Sequence, residues 1–369
     1  MYKNVSTYGK LDSFSLWYKS IHGYAILCVC LVAMPLILIN IIVLTRKHML
    51  SSTNAILTAL AISDFIIMLI HIPTAVKYHC IVETSIFEIT NTMISTKCDY
   101  FWTAYDLLFV HLNQTLHSTS IWLTVLLAFY RYVYVSHNKI GKTLCTPIEK
   151  TNIAILVTFF FCICISIPSY MCLKIKEITN INESNVYYKL TRTDNARRSD
   201  GLLFRIALFI QAFCVKLIPC ILLIVFSSLL FYAVRKNPIL ETKIHVIRRD
   251  KPEKVKLKMV EEYRRINIML VLVCFLFFIT EFPQGVLAIM SLINHSKDFH
   301  SEVYMKLDDV IDIIALTNNA INFILYCRMS CIFRKTFEKI FYDPLNIRYH
   351  KIKSILSDNI AKESLTNTI

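Results

Sequence analysis

Three groups of residues in this chain could do chemistry in surroundings that ordinarily exclude it. Asp64 closes the run Leu60-Ala61-Ile62-Ser63-Asp64, Glu281 stands in Thr280-Glu281-Phe282-Pro283-Gln284-Gly285, and Asn318, Asn319 and Asn322 cluster near the end of another apolar stretch. A carboxylate in an apolar run needs polar company or a cation, because its charge is badly solvated there. For Asp64 the partners on offer are Asn40, Ser120, Asn318, Asn319 and Asn322, and Asn318 and Asn322 share a helix face at i, i+4. A carboxylate ringed by neutral oxygens suits a small hard cation such as sodium, and it equally suits a hydrogen-bond network that only ties helices together. Glu281, beside a proline, is either protonated and hydrogen-bonded or meets a cation. A third set comprises Asn113, Gln114 and His117, joined by Gln284 and by Asp312 and Asp308, which climb outward from Asn322 on one helix face. Together they would line a polar cavity. Read more plainly, His117 is a satisfied interior histidine and the aspartates are a solvated helix end.

The elements that must position these residues follow from composition. Of 369 residues 55% are hydrophobic and only 18% charged, with 5 glycines, and the mean hydropathy is +0.51. Disordered, collagenous and ordinary soluble classes are excluded by those values. Thirteen cysteines are too sparse for a disulfide scaffold. A hydrocarbon core takes about 20 helical residues per crossing, and apolar runs of that length lie near 21–45, 52–76, 104–135, 150–173, 203–234, 264–293 and 305–327. Spans one, two, four, six and seven are clear by length. The third is interrupted by Asp106, His111, Asn113, Gln114 and His117 and the fifth by Arg205, Gln211 and Lys216, so their outer halves are expected to line a cavity. Continuous runs exclude a transmembrane barrel, whose strands alternate.

Charge sets the orientation. The net charge of +14 is divided among short segments between spans, which argues for membrane topology and against a nucleic-acid partner. With the N-terminus outside, the inner segments 45–51, 131–150, 235–265 and 328–369 hold 25 of the 40 lysines and arginines. The sequons at Asn4, Asn182 and Asn294 then all face outward as glycosylation sites. Residues 1–20 lack an apolar signal region, so they are expected to form an extracellular tail and span one to act as an uncleaved signal. Residues 21–327 form the helical domain. Within 328–342, Met329, Ile332, Phe333, Phe337, Ile340 and Phe341 recur at helical spacing among basic residues, an amphipathic helix on membrane lipid; 343–369 form a cytoplasmic tail. The fold class is an all-α membrane protein, a seven-transmembrane helix bundle with a short amphipathic eighth helix.

The ordered set Leu60-Ala61-x-x-Asp64, Tyr130-Arg131-Tyr132, Pro219, Pro283 and Asn322-x-x-x-Tyr326 resembles the rhodopsin-like G-protein-coupled receptors. Within them, Ser118–Ala128, Thr280–Gly285 and Ile321–Ser330 look like the myosuppressin and FMRFamide-like peptide receptors of the nematode branch, a likeness that covers about residues 24–342. The resemblance implies a receptor for an amidated neuropeptide ending in Arg-Phe-amide that activates a heterotrimeric G protein. It implies a sodium-sensitive site at Asp64, Ser120, Asn318 and Asn322, and a ligand site drawn from Glu281, Asp312, Asn113, Gln114, His117, Gln284 and Asp308. In that reading Glu281, with Asp312, pairs with the ligand's arginine. Arg131 is the G-protein switch, with Glu262 or Glu261 and Tyr326 as participants, and Cys327 and Cys331 lie where palmitoylation or a buried thiol fits.

The departures matter too. Tyr130 replaces the usual acidic residue, Phe323 the usual proline and Glu281 the usual span-six tryptophan. Asp106 stands where the family has a disulfide cysteine, and 174–202 contains no cysteine, so the bridge is expected as Cys80–Cys98 or else Cys98–Cys172. Competing functions are a chemosensory receptor for a small molecule on the same scaffold and a transporter, the latter opposed by the lack of an internal repeat. No zinc spacing, nucleophile elbow or phosphate loop supports an enzyme, and no cofactor beyond sodium is expected.

Overall fold

The computed structural model describes residues 5–88, 100–136, 147–180, 185–197, 201–236, 253–293, 303 and 305–342. Among them run seven long helices: α1 (Val5–Leu44), α2 (Ser52–Glu88), α3 (Tyr100–Ser136), α4 (Ile148–Tyr170), α5, α6 (Glu253–Ile293) and α7 (Met305–Met329). Helix α5 is composite, with an α-helical Leu202–Ile210, a π-helical Gln211–Leu217 and an α-helical Ile218–Lys236. A short α8 (Cys331–Phe337) passes into one π-helical turn, Glu338–Tyr342. Between α4 and α5 an antiparallel hairpin, β1 (Leu173–Asn180) with β2 (Asn185–Arg192), pairs Leu173 with Arg192 and Asn180 with Asn185.

Helices are the form these runs can take in lipid, because each segment satisfies its own backbone groups there. Pro35, Pro73, Pro168 and Pro283 lie inside helices, as membrane helices tolerate. Large apolar side chains also face outward, and small polar ones lie inside. Ile153, Leu156, Val157 and Phe160 of α4 are exposed, while Ser118, Thr119, Ser120 and Thr124 of α3 are buried. The hydroxyls of Ser118, Thr119 and Thr124 donate to the carbonyls of Gln114, Thr115 and Ser120 at 2.7–2.8 Å, and that of Ser120 donates to Asp64 Oδ1 at 3.0 Å. Small side chains with internally satisfied hydroxyls let neighbouring helices approach α3 closely.

Two large apolar cores form among the described residues, beside two small clusters. One joins Ile26 to Ile37 of α1, Ala61 to Ala75 of α2, Leu116 and Leu316. The other joins Val43, Leu44, Ile56, Leu60, the lower half of α3 from Ile121 to Val133, Val215, Leu223, Val273, Phe277 and Phe333 of α8. Ser330 caps α8 by accepting from the Phe333 amide at 3.2 Å, which turns the chain so that Phe333 plugs the inner core.

Several boundaries differ from the sequence reading. Helix α1 begins at Val5, within the segment expected as a tail, and α6 extends inward to Glu253 as its charged flank predicts. Among the described residues five helices are long and apolar enough to cross a membrane, and α3, interrupted by polar residues as expected, is held by its neighbours in the bundle. The hairpin was not foreseen, although Lys174-Ile175-Lys176 and Val186-Tyr187-Tyr188-Lys189-Leu190 carry strand-like composition.

Candidate functional site

At mid-depth α3, α5 and α6 meet around Glu281, which is 1% exposed. Its carboxylate pairs directly with Lys216, 4% exposed, and lies 3.1 Å from His117 Nε2. The carboxylate only accepts, so His117 Nε2 donates. Of the two states the sequence allows for Glu281, protonated or facing a cation, the structure shows it facing a cation that the chain itself supplies. Lys216 comes from the π-helical stretch and faces α6, where Gly285 keeps the helices close: a Cβ on Gly285 would lie 3.1 Å from Lys216 Cβ and 3.2 Å from Leu217 Cδ2. Removing one member of so dry a pair leaves an uncompensated charge, a penalty of about 3–5 kcal/mol.

Above this cluster lies an open cavity of about 180 Å3 lined by Val110, Gln114, Ser169, Arg192, Phe204 and Gln211 among others. Gln114 Nε2 donates to Ser169 Oγ and to Gln211 Oε1, both at 2.9 Å, tying α3 to α4 and α5. The Arg192 guanidinium stacks on the Phe204 ring 3.7 Å from its centroid. The hairpin roofs the cavity. Thr103 Oγ1 donates to Tyr188 O at 3.2 Å and the Tyr100 and Tyr188 rings meet edge-on at 5.3 Å, fastening β2 to α3. At the hairpin base the Thr193 amide donates to Cys172 O at 2.9 Å, and Lys174 pairs with Asp194 at 2.5 Å. Asp106 is paired with Lys77 of α2, whose ammonium also lies 5.9 Å from the Trp102 ring centroid. An ion pair therefore joins α3 to α2 near the position where the resemblance places a disulfide cysteine.

Asp64 occupies a second site on the inner side of the bundle's middle. It is 1% exposed and accepts from Ser120 Oγ at 3.0 Å. Beside it a cavity of about 10 Å3 is lined by Asn40, Asp64, Asn319 and apolar residues of α1 and α2. Asn40 is 3% exposed and its Oδ1 has no hydrogen-bond partner. That space holds about one water-sized particle, and the carboxylate, hydroxyl and orphaned carbonyl oxygen fit a small hard cation. Asn318 is buried in the same region of α7, and the side chain of Asn322 lies outside the described residues.

The remaining expected residues disperse. Asn113, Gln284 and Asp312 lie at or beside the level of Glu281 and outward from it; Gln284 is buried, Asn113 and Asp312 half-buried. Arg131 is half-buried on the last turns of α3. The side chains of Asp308, Glu261, Glu262 and Tyr326 lie outside the described residues, as do Asn4, Asn182, Asn294, Cys98 and the side chain of Cys80. Cys172 is a free thiol. Its Sγ donates inward to Pro168 O at 3.1 Å, and Cys98, the partner expected for it, lies outside the described residues. Cys327 and Cys331 are free and half-buried, and Arg334 donates to Cys327 O and Cys331 Sγ, both at 3.2 Å.

Sequence reasoning saw Lys216 and Gln211 as interruptions and did not pair them. The signal was present: an unpartnered cation and an unpartnered anion in neighbouring apolar spans can hardly avoid each other. Ser169 gave no such signal, since one serine near a helix end is ordinary.

The sequence model of the serpentine-type seven-transmembrane G-protein-coupled chemoreceptors, Srw, matches residues 24–343. The chain is 26% identical to the G-protein coupled receptor dmsr-1 of Caenorhabditis elegans, over 92% of this chain and 71% of that one. It is 26% identical to the sex peptide receptor of Drosophila melanogaster, over 89% of this chain and 72% of that one. The FMRFamide receptor of Drosophila melanogaster is 23% identical over 83% of this chain and 51% of its own length. These relatives are receptors, not enzymes.

Proposed function

The chain belongs to the serpentine seven-transmembrane G-protein-coupled receptor family, and from that premise we propose that it is a plasma-membrane receptor for an amidated neuropeptide of the Arg-Phe-amide class. The observation that carries this reading is the cavity between α3, α4 and α5, roofed by the hairpin and floored by the Gln114–Gln211 pair. Carboxamides and a hydroxyl on apolar walls suit the uncharged amide and aromatic ring of such a peptide end. The names of two relatives, a sex peptide receptor and an FMRFamide receptor, support a peptide ligand. With Glu281 engaged by Lys216, the ligand's arginine is met from α7 by Asp312, with Asp308 one turn further out. The N-terminus is extracellular, Asn4, Asn182 and Asn294 carry glycans, and the Asp64 site binds sodium when the receptor rests.

Ligand binding favours a conformation whose inner ends admit a heterotrimeric G protein, through its differential affinity for two states. The test is a panel of amidated peptides, their free acids and unrelated amidated peptides in a G-protein biosensor assay. Response to amidated Arg-Phe peptides alone is expected, and Arg131→Ala should abolish it while peptide binding and surface expression persist. A second reading, a small-molecule chemosensory receptor, draws on the family description as chemoreceptors. Silence toward every peptide with response to a small molecule would establish it instead.

A further inference from the structure

Three contacts tie α3 to the π-helical stretch of α5 or to what that stretch holds. Gln114 donates to Gln211, the first residue of the stretch, at 2.9 Å. Trp122 Nε1 donates to Cys214 O at 3.2 Å, satisfying a carbonyl in its middle. His117, one turn from Gln114, meets Glu281, which pairs with Lys216 near the end of the stretch. One short element thus has one end in the wall of the outer cavity and the other in a buried ion pair to α6.

Both partners of that pair stand on irregular helix. A π-helical turn leaves backbone groups to be satisfied from outside and can revert to α geometry by shifting register, and Glu281 lies two residues before Pro283, where α6 lacks a backbone hydrogen bond. The ion pair bridges the two points at which these helices can most readily deform. Gly285 lets them approach closely enough for a lysine and a glutamate to meet without solvent.

We propose that the π-helical stretch Gln211–Leu217 is the coupling element of the receptor, and that Lys216 is the positioning residue that latches α6 at rest through Glu281 and His117. A change at Gln114–Gln211 when the cavity fills is carried along the stretch to Lys216, the ion cluster loosens, and α6 swings about Pro283. This rests on the seven-helix receptor reading but not on the identity of the ligand.

The test is agonist-independent signalling, measured per receptor at the cell surface. The double variant Lys216→Met/Glu281→Met removes both charges together and should raise basal G-protein activation by roughly 5-fold or more. His117→Leu, which leaves the ion pair but removes the third member, should raise it to a lesser degree, and His117→Gln, which keeps a donor toward Glu281, should restore the resting level. A double variant at the surface with unchanged basal and ligand-driven signalling would overturn the proposal. Should that variant fail to reach the surface, the His117 pair decides: equal basal signalling in the leucine and glutamine variants, whatever its level, overturns it. A fluorophore on the inner end of α6 in purified receptor reports the same movement without ligand or G protein, so failure to find an activating peptide leaves this test intact.

Discussion

Asp64 and Glu281 are both carboxylates buried to 1% exposure in the middle of a helix bundle, and they are provided for in opposite ways. Asp64 accepts from a neutral donor, the Ser120 hydroxyl at 3.0 Å, and the packing leaves a small cavity faced by an orphaned asparagine oxygen. Around Glu281 the chain brings its own cation and a histidine, with the helices pressed together at Gly285. The difference teaches what each region can respond to. A site with room and neutral oxygens answers to an ion from solution, whereas a site whose charge is internally compensated answers only to movement of the helices that hold it.

The comparison breaks most sharply at Lys216. Lys216→Met leaves Glu281 with only His117 and should destabilise the folded receptor by about 3–5 kcal/mol, seen as loss of surface receptor and of thermal stability in detergent; wild-type stability would mean the charge is compensated by another route. Next comes Gly285→Ala. Its Cβ would crowd Lys216 and Leu217, costing about 1–3 kcal/mol, and a thermal-stability measurement in detergent should show the loss. Wild-type stability would remove the argument for close approach.

Asp64→Asn is smaller in stability and decisive in kind. Asparagine keeps an acceptor for Ser120, so the change should stay within about 1 kcal/mol, while the difference in agonist affinity between sodium and a bulky organic cation should vanish. Persistence of that difference would place the cation elsewhere. The same ion exchange applied to Lys216→Met should leave sodium sensitivity in the surviving receptor. The least effect is expected at the roof: Thr103→Val removes one hydrogen bond to Tyr188 O, worth about 0.5–1.5 kcal/mol, and faster amide exchange confined to β2 would register it. Unchanged exchange would show that the Tyr100–Tyr188 contact alone fastens the hairpin.

Much of this was legible in one dimension. Membrane crossing depends on the mean apolarity of about 20 consecutive residues, a local quantity, so each of the seven spans read from the sequence falls on one of the seven long helices, though α1, α2 and α6 extend well past their apolar cores. Amphipathic spacing marked α8, and the need of Asp64 and Glu281 for company could be stated from their surroundings in sequence. What could not be stated was whom they would meet. Ser120 and Lys216 are 56 and 65 residues from their carboxylates, and whether two polar side chains on different helices face each other depends on the rotation of each helix about its axis.

The sequence by itself determined that this chain is a seven-helix membrane bundle with carboxylates it cannot leave bare, because hydrophobicity and desolvation act on each residue where it stands. Only the tertiary structure decided that Glu281 is closed by Lys216 and His117 while Asp64 is left a cavity, that Asp106 pairs with Lys77, and that Cys172 stays a thiol. Those outcomes turn on helix rotation, on the seven π-helical residues that swing Lys216 toward α6, and on a glycine that admits close approach. They are properties of pairs of surfaces, and pairing is settled by packing.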